Sequence, residues 1–174
     1  MREKMVHLCV TGELFQPANI WTVRWVTEDD YQAFSKPWSN GVQGWTLAEW
    51  RQLQNEGYLY CGVFKNGELC SIAGVWKRAC DVWEVIAVGT REEYRRQGMA
   101  KSAVSFVTKY ILQHIKIASY TSRESNIASI HTAQSVGFRY CANIVDNDKW
   151  CVPNPRTLIK DAICPLITNG NRIF

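Results

Sequence analysis

Several familiar signatures are missing from this sequence, and each absence removes a class of function. No apolar run approaches the roughly 20 residues that a membrane span requires. No dense Lys/Arg run marks a nucleic-acid footprint. The cysteines, at 9, 61, 70, 80, 141, 151 and 164, form no C-x-x-C pair, so neither a zinc ribbon nor a thiol redox motif is spelled out. Their number is odd, and most lie in apolar stretches where Cys behaves as a small hydrophobe. With no signal peptide in view, these features predict a reduced, cytoplasmic protein without disulfides or structural metal. The Gly-Lys-Ser/Thr ending of a P-loop and the G-x-G-x-x-G of a dinucleotide site are also missing. No repeat, low-complexity segment or linker divides the chain.

What is present indicates one folded domain. The 174 residues are 47% hydrophobic and 21% charged, enough for a sizeable core and unlike a disordered chain. The net charge of +4 fits an ordinary soluble surface, or an attraction for an anionic ligand. Tryptophans stand at 21, 25, 38, 45, 50, 76, 83 and 150. Tryptophan is usually core; a cluster beside a loop can also line an apolar or cation-binding groove.

Periodicity predicts a strand over Ile20–Val26 and a short helix over Thr27–Phe34 with acidic residues in its first turn. A loop follows from Ser35 to Gly44. Thr46 and Glu49 spell a capping box for a helix ending near Asn55, with Leu47, Trp50 and Leu53 as its buried stripe. Asn66-Gly67 joins strands at Tyr58–Phe64 and Glu68–Val75, a strong hairpin signal. A strand over Val82–Val88 leads to a helix whose apolar stripe is Met99, Ala103, Phe106, Val107 and Tyr110. A strand over Ile115–Tyr120, a helix capped by Ser125 and ending at Gly137, and a strand over Tyr140–Val145 complete the pattern. After an Asp-Asn-Asp turn, Trp150–Val152 is read as one more strand. The apolar tail from Leu158 is left open between an edge strand, a cover for the core and a homodimer contact. This order is α+β, with one mixed sheet and helices on its faces.

The segment from Trp83 to Phe138 carries the chemistry. Arg95-Arg96-Gln97-Gly98-Met99-Ala100 follows a strand and opens a helix. Unpaired N–H groups and the helix dipole there favour an anion, glycine allows close approach, and arginines add charge-assisted hydrogen bonds. Cations at a helix N-terminus are unfavourable by themselves. Arg95, Arg96 and Lys101 are therefore easier to explain with an anion present than as a solvated basic turn.

Arg95-x-x-Gly98-x-Ala100, with Asn126 and Gly137-Phe138 downstream, resembles the acetyl-CoA site of the GNAT N-acetyltransferase superfamily. The resemblance implies a single, mostly antiparallel mixed sheet with helices on both faces, spanning 1–174 as one domain. Acceptor-side helices would lie at about 27–56 and an acetyl-CoA-binding core at about 82–145. It also implies a sheet whose two central parallel strands splay apart around the cofactor. The backbone from Arg96 to Ala100, with Arg95, Arg96 and Lys101 side chains, would hold the pyrophosphate. Val88 and Thr90 would meet the pantetheine arm, the Val88 region would supply the oxyanion donor, and Asn126 and Ser129 would touch the cofactor. Glu84 is a candidate general base, since burial among apolar neighbours raises a carboxyl pKa; the alternatives are a solvent-facing Glu84 or water alone. The reaction implied is transfer of an acetyl group from acetyl-CoA, without a metal, to a primary amine of a small molecule or peptide. No nucleic acid or membrane partner is implied. Many members place a Tyr where this chain has Ala133, so a non-catalytic acyl-CoA-binding module is the alternative.

Overall fold

A computed structural model describes residues 4–36, 44–78 and 83–145, with side chains through Cys141. The order is β1 (Lys4–Thr11), β2 (Val23–Trp25), α1 (Tyr31–Phe34), α2 (Leu47–Asn55), β3 (Tyr58–Lys65), β4 (Glu68–Lys77), β5 (Trp83–Thr90), α3 (Met99–His114), β6 (Ile117–Arg123), α4 (Ile127–Gln134) and β7 (Arg139–Val145). Short 3₁₀ turns at Glu28–Asp30 and Glu92–Tyr94 precede α1 and α3. The strands form one sheet in the order β2-β3-β4-β5-β6-β1-β7. Every neighbouring pair is antiparallel except β5 and β6. Helices α3 and α4 cover one face, packing Val104, Val107, Ile130 and Ala133 on Val6, Leu8 and Val85. Helices α1 and α2 cover the other, packing Phe34 and Trp50 on Tyr60, Leu69 and Ile72. The α+β class, the mixed sheet and helices on both faces are as expected.

Local chemistry explains the elements that the sequence identified. The Thr46 hydroxyl accepts the Glu49 N–H, and the Glu49 carboxylate accepts the Thr46 N–H, so two orphan donors of α2 are satisfied. Asn66 and Gly67 both take positive φ, 52° and 77°, as a tight β3–β4 turn requires. Arg91, buried just beyond β5, donates to the carbonyls of Leu69 (2.7 Å), Ala33 (3.3 Å) and Lys36 (3.4 Å), tying the end of α1 to the sheet.

Three expectations are corrected, and one strand is new. The run Met5–Val10 was not read as a strand, yet β1 lies between β6 and β7 with Val6, Leu8 and Val10 in the core. The strand over Ile20–Val26 shrinks to Val23–Trp25 because α3 takes the N–H groups before it. Ala18 N–H donates to the Ser105 hydroxyl (2.8 Å) and Trp21 N–H to the Ser102 hydroxyl (3.1 Å), so this segment straps α3 instead of pairing with β3. Helix α4 is capped by Asn126, whose side-chain oxygen accepts the Ser129 N–H (3.2 Å), and not by Ser125. Finally, Cys9 and Cys141 are disulfide-bonded. The adjacent strands β1 and β7 bring their Cα atoms to 6.1 Å, within the span a disulfide accepts, although 132 residues separate them in sequence. Cys61 and Cys70 are free and buried. Trp38, Cys80, Cys151, Cys164, the strand read at Trp150–Val152 and the tail from Leu158 lie outside the described residues.

Candidate acyl-CoA site

The sheet is torn where the site lies. β5 and β6 pair only over Trp83–Ala118, Glu84–Ser119 and Val85–Tyr120, and then diverge. On its other side, β5 bulges against β4. Ile72 pairs with Gly89 and Gly74 with Ile86, leaving Ala87 and Val88 together opposite Ala73. Ala87 carries a positive φ of 50°, uncommon for a residue with a side chain. A missing rung on one side and a departing partner on the other leave this stretch of β5 facing the cavity.

The tear opens into a cavity of about 880 Å³. Its walls include Ala87, Val88, Gly89 and Thr90 of β5, the Arg95–Lys101 turn, Asn126, Ser129 and Thr132 of α4, and Gly44, Trp45 and Ile72 on the far side. At the mouth of α3, Arg96 and Gly98 both take positive φ, 60° and 78°. This compact turn exposes the first N–H groups of a 16-residue helix, which have no partner within the helix. The turn is braced by the Trp21 indole, whose N–H donates to the Gln97 carbonyl (2.7 Å). Met99 is buried against Val63 and Cys70, anchoring the turn from within. Arg95 and Arg96 are exposed and Lys101 is half-buried, so their charge faces the cavity mouth. Arg95 Nε also reaches back to the Thr90 carbonyl (3.4 Å), and the Thr90 hydroxyl is shared with Ser71 (2.8 Å). The arrangement fits an elongated anionic ligand: donors and cations at one end, a strand edge in the middle, and an aromatic wall at Trp45.

The predicted cofactor residues Val88, Thr90, Arg95, Arg96, Gly98, Met99, Ala100, Lys101, Asn126 and Ser129 all line this one cavity, and Gln97 lies within the same turn. Glu84 does not line it. Its buried carboxylate accepts from Arg78 Nη1 at 3.1 Å, and the Arg78 guanidinium lies over the Trp76 ring. Nearby, burial pushes the His7 imidazole below its ordinary pKa, against the opposing pull of Glu84. Of the tryptophans at 45 and 50, within the segment expected on the acceptor side, Trp45 reaches the cavity and Trp50 is core. Two acids of this segment are engaged: Asp30 with Arg24, and Glu49 in the α2 cap. The sequence reading missed Ile72, Tyr94, Ala128 and Thr132. Ala128 and Thr132 share a helix face at i, i+4, a signal that was available; Ile72 and Tyr94 arrive by tertiary packing alone.

The acetyltransferase (GNAT) family matches residues 22–138. The chain belongs to this family. Among solved structures, a protein from Novosphingobium aromaticivorans described as of the GNAT family superposes with a TM-score of 0.65 at 23% identity, covering 82% of this chain and 62% of its own. A GNAT-family acetyltransferase from Colwellia psychrerythraea gives 0.65 at 13% identity, covering 82% and 54%. The ribosomal-protein-S18-alanine N-acetyltransferase of Escherichia coli gives 0.55 at 20% identity, covering 68% and 77%. At these identities the likeness is one of fold, and this chain spans less than two thirds of the length of the first two. No curated protein matches the chain. Within the GNAT frame, the position where many members carry Tyr is held by Ala133, which is fully buried. Among the described residues, no helix is long and apolar enough to cross a membrane, and no group of three or more His, Cys, Asp or Glu is placed to hold a metal ion.

Proposed function

We propose that this protein transfers an acetyl group from acetyl-CoA to a primary amine of a small molecule or peptide by direct attack. The observation that carries this reading is the single cavity that runs from the cationic α3 turn, past the bulged edge of β5, to Trp45. The N–H groups at the start of α3, with Arg95, Arg96 and Lys101, hold the pyrophosphate. The edge of β5 beyond its pairing with β6 aligns the pantetheine arm, and the Val88 N–H polarises the thioester carbonyl. Holding thioester and amine together supplies most of the rate, since acyl transfer between two positioned partners needs little else. Glu84 serves as the counter-ion of Arg78, and the amine proton goes to solvent.

Thermal unfolding with acetyl-CoA, with AMP and ATP as controls, tests the binding half. At about 100 times Kd the native state gains about 2.7 kcal/mol, a rise of roughly 5–10 °C in Tm. No rise with acetyl-CoA would refute the site. A panel of alkylamines, arylalkylamines and peptides with free N-termini, followed by thiol release, tests turnover. Peptides belong in it because one structural relative is named for an alanine of a ribosomal protein. Ala133, where many family members carry Tyr, favours a second reading, an acyl-CoA-binding module without turnover; thiol release above background hydrolysis with any amine eliminates it.

A further inference from the structure

The cavity reaches both faces of the sheet. On the side covered by α3 and α4, its wall carries Ser129, Thr132 and the cationic turn. On the other side it carries Trp45 and Ile72, which belong to the core beneath α1 and α2. An acetyl-CoA held by its phosphates at the turn comes to β5 from the first side. The amine then meets the thioester from the Trp45 side, with its nitrogen toward β5 and its body toward the indole.

That far wall is held by its own core. Trp45 is half-buried, and its ring is backed by Tyr60 at 4.5 Å, Trp50 at 5.9 Å and Phe34 at 6.3 Å. Gly44 seats it. A Cβ there would meet the backbone of Phe34 and Ser35, so only glycine lets the chain return this close to the end of α1. Arg91 ties that end to the sheet in turn, through the carbonyls of Ala33 and Lys36. An indole fixed in this way gives up little freedom when a flat ring packs on it.

The charge on the walls is one-sided. The charged residues among the described lining residues are Arg95, Arg96 and Lys101, and no Asp or Glu is among them. In the acceptor-side segment, Glu28 is paired with Arg51 (2.6 Å), Asp30 with Arg24 (2.6 Å), and Glu49 closes the α2 cap. A second ammonium on the acceptor would meet no carboxylate on these walls, and burying it unpaired is costly.

We propose that the acceptor is a primary monoamine with a flat aromatic body, and that Trp45 is the residue that selects it. This rests on the acetyltransferase reading above. The amine nitrogen bonds to the acyl carbon, and the C–S bond breaks with its electron pair on sulfur. One amine proton passes to solvent and the thiolate is released. Trp45 and Ile72 take no part in these bond changes; they hold the ring that carries the nitrogen.

The test uses the full chain with acetyl-CoA and follows thiol release with phenethylamine, ethylamine and spermidine, for wild type, Trp45→Leu and Trp45→Phe. Wild type is expected to favour phenethylamine over ethylamine by at least roughly 10-fold in kcat/KM, and over spermidine as well. Trp45→Leu, which fills space without a ring, is expected to lower the phenethylamine-to-ethylamine ratio about 10-fold, with KM for acetyl-CoA within about twofold. Trp45→Phe keeps a ring and is expected to retain most of the preference. A thermal scan verifies that both variants fold. Wild type that uses ethylamine or spermidine as well as phenethylamine would overturn the proposal, whatever the variants do. So would an unchanged ratio in folded Trp45→Leu, or a peptide with a free N-terminus turned over faster than phenethylamine. A Trp45→Leu effect that follows the acyl chain, read by replacing acetyl-CoA with butyryl-CoA, would put the acyl group against Trp45 and overturn it too. Each of these leaves the acetyltransferase reading intact. Absence of thiol release by wild type with every amine would instead overturn that reading, and this proposal with it.

Discussion

Replacing Gly137 by alanine should damage this protein far more than the same change at Gly98, although Gly98 is the glycine that lines the cavity. Gly137 follows α4 with φ of 104°, and a Cβ there would meet the Leu14 carbonyl oxygen, with Leu14 C at 3.0 Å and Gln16 N at 3.2 Å. All three are backbone atoms, so no rotamer change relieves the clash. An alanine at positive φ costs roughly 1–2 kcal/mol. Pushing the 14–16 segment away also breaks the Gln16 N–H bond to the Val136 carbonyl (3.0 Å), worth about 1 kcal/mol. Val136 and Phe138, both fully buried, must shift with it, which adds about 1 kcal/mol. The total is about 3 to 4 kcal/mol, or roughly 10 °C in Tm for a domain of this size. At Gly98, φ is 78° and a Cβ would lie 2.8 Å from Ile20 Cδ1, the tip of an exposed side chain that can move aside. The strain of φ alone then predicts about 1–2 kcal/mol, roughly 4 °C. The assay is a thermal scan of each variant with and without acetyl-CoA. Gly137→Ala should unfold early yet keep its ligand-induced rise. Gly98→Ala should unfold near wild type and lose most of that rise. Equal destabilisation of the two, or a Gly137→Ala variant within about 2 °C of wild type, would refute the reasoning.

Glu84→Gln removes the charge partner of a half-buried guanidinium and is expected to lower stability by about 3 kcal/mol while leaving the pH dependence of kcat unchanged; a displaced pH optimum in the folded variant would make Glu84 the base after all. Asp30 is held below its ordinary pKa of 3.8, chiefly by its hydrogen bond to Arg24, with burial opposing. A depressed carboxyl contributes stability above the unfolded value and loses it as the pH falls through the folded one. Wild type should therefore lose stability more steeply than Asp30→Asn below pH 3.8, as followed by denaturant unfolding across that range; parallel acid limbs would show that the Arg24 pair contributes nothing.

The sequence disclosed what is set locally and concealed what is set by distant chain. The Thr46–Glu49 cap, the Asn66-Gly67 turn and the start of α3 at Gly98 are each written within a few residues, and all three formed where they were read. The cavity wall was legible because its parts follow one another along β5, the turn and α4. Strand β1 was missed because His7 interrupts its apolar pattern, and that imidazole is itself buried against Thr121, at 3.2 Å. Apolar neighbours along β5 raised Glu84 as a candidate base; only the folded chain shows that Arg78, just beyond β4, holds its carboxylate. The Cys9–Cys141 bond depends on strand order, to which no local pattern refers.

The position of β1 also has a consequence for how the molecule is made. Thr11 pairs with Ile117 and Lys4 with Val145, so the strand has no sheet partner until most of the described chain exists. Pairings so distant in sequence slow folding, because a long loop must close before the contact repays it. At ordinary synthesis rates, Val6, Leu8 and Val10 would wait roughly ten seconds, exposed, while the β3–β4–β5 meander forms from neighbouring segments. Strands β6 and β7 complete a core begun by β1, which makes this early apolar stretch a natural target for a chaperone during translation and a natural seed for aggregation without one.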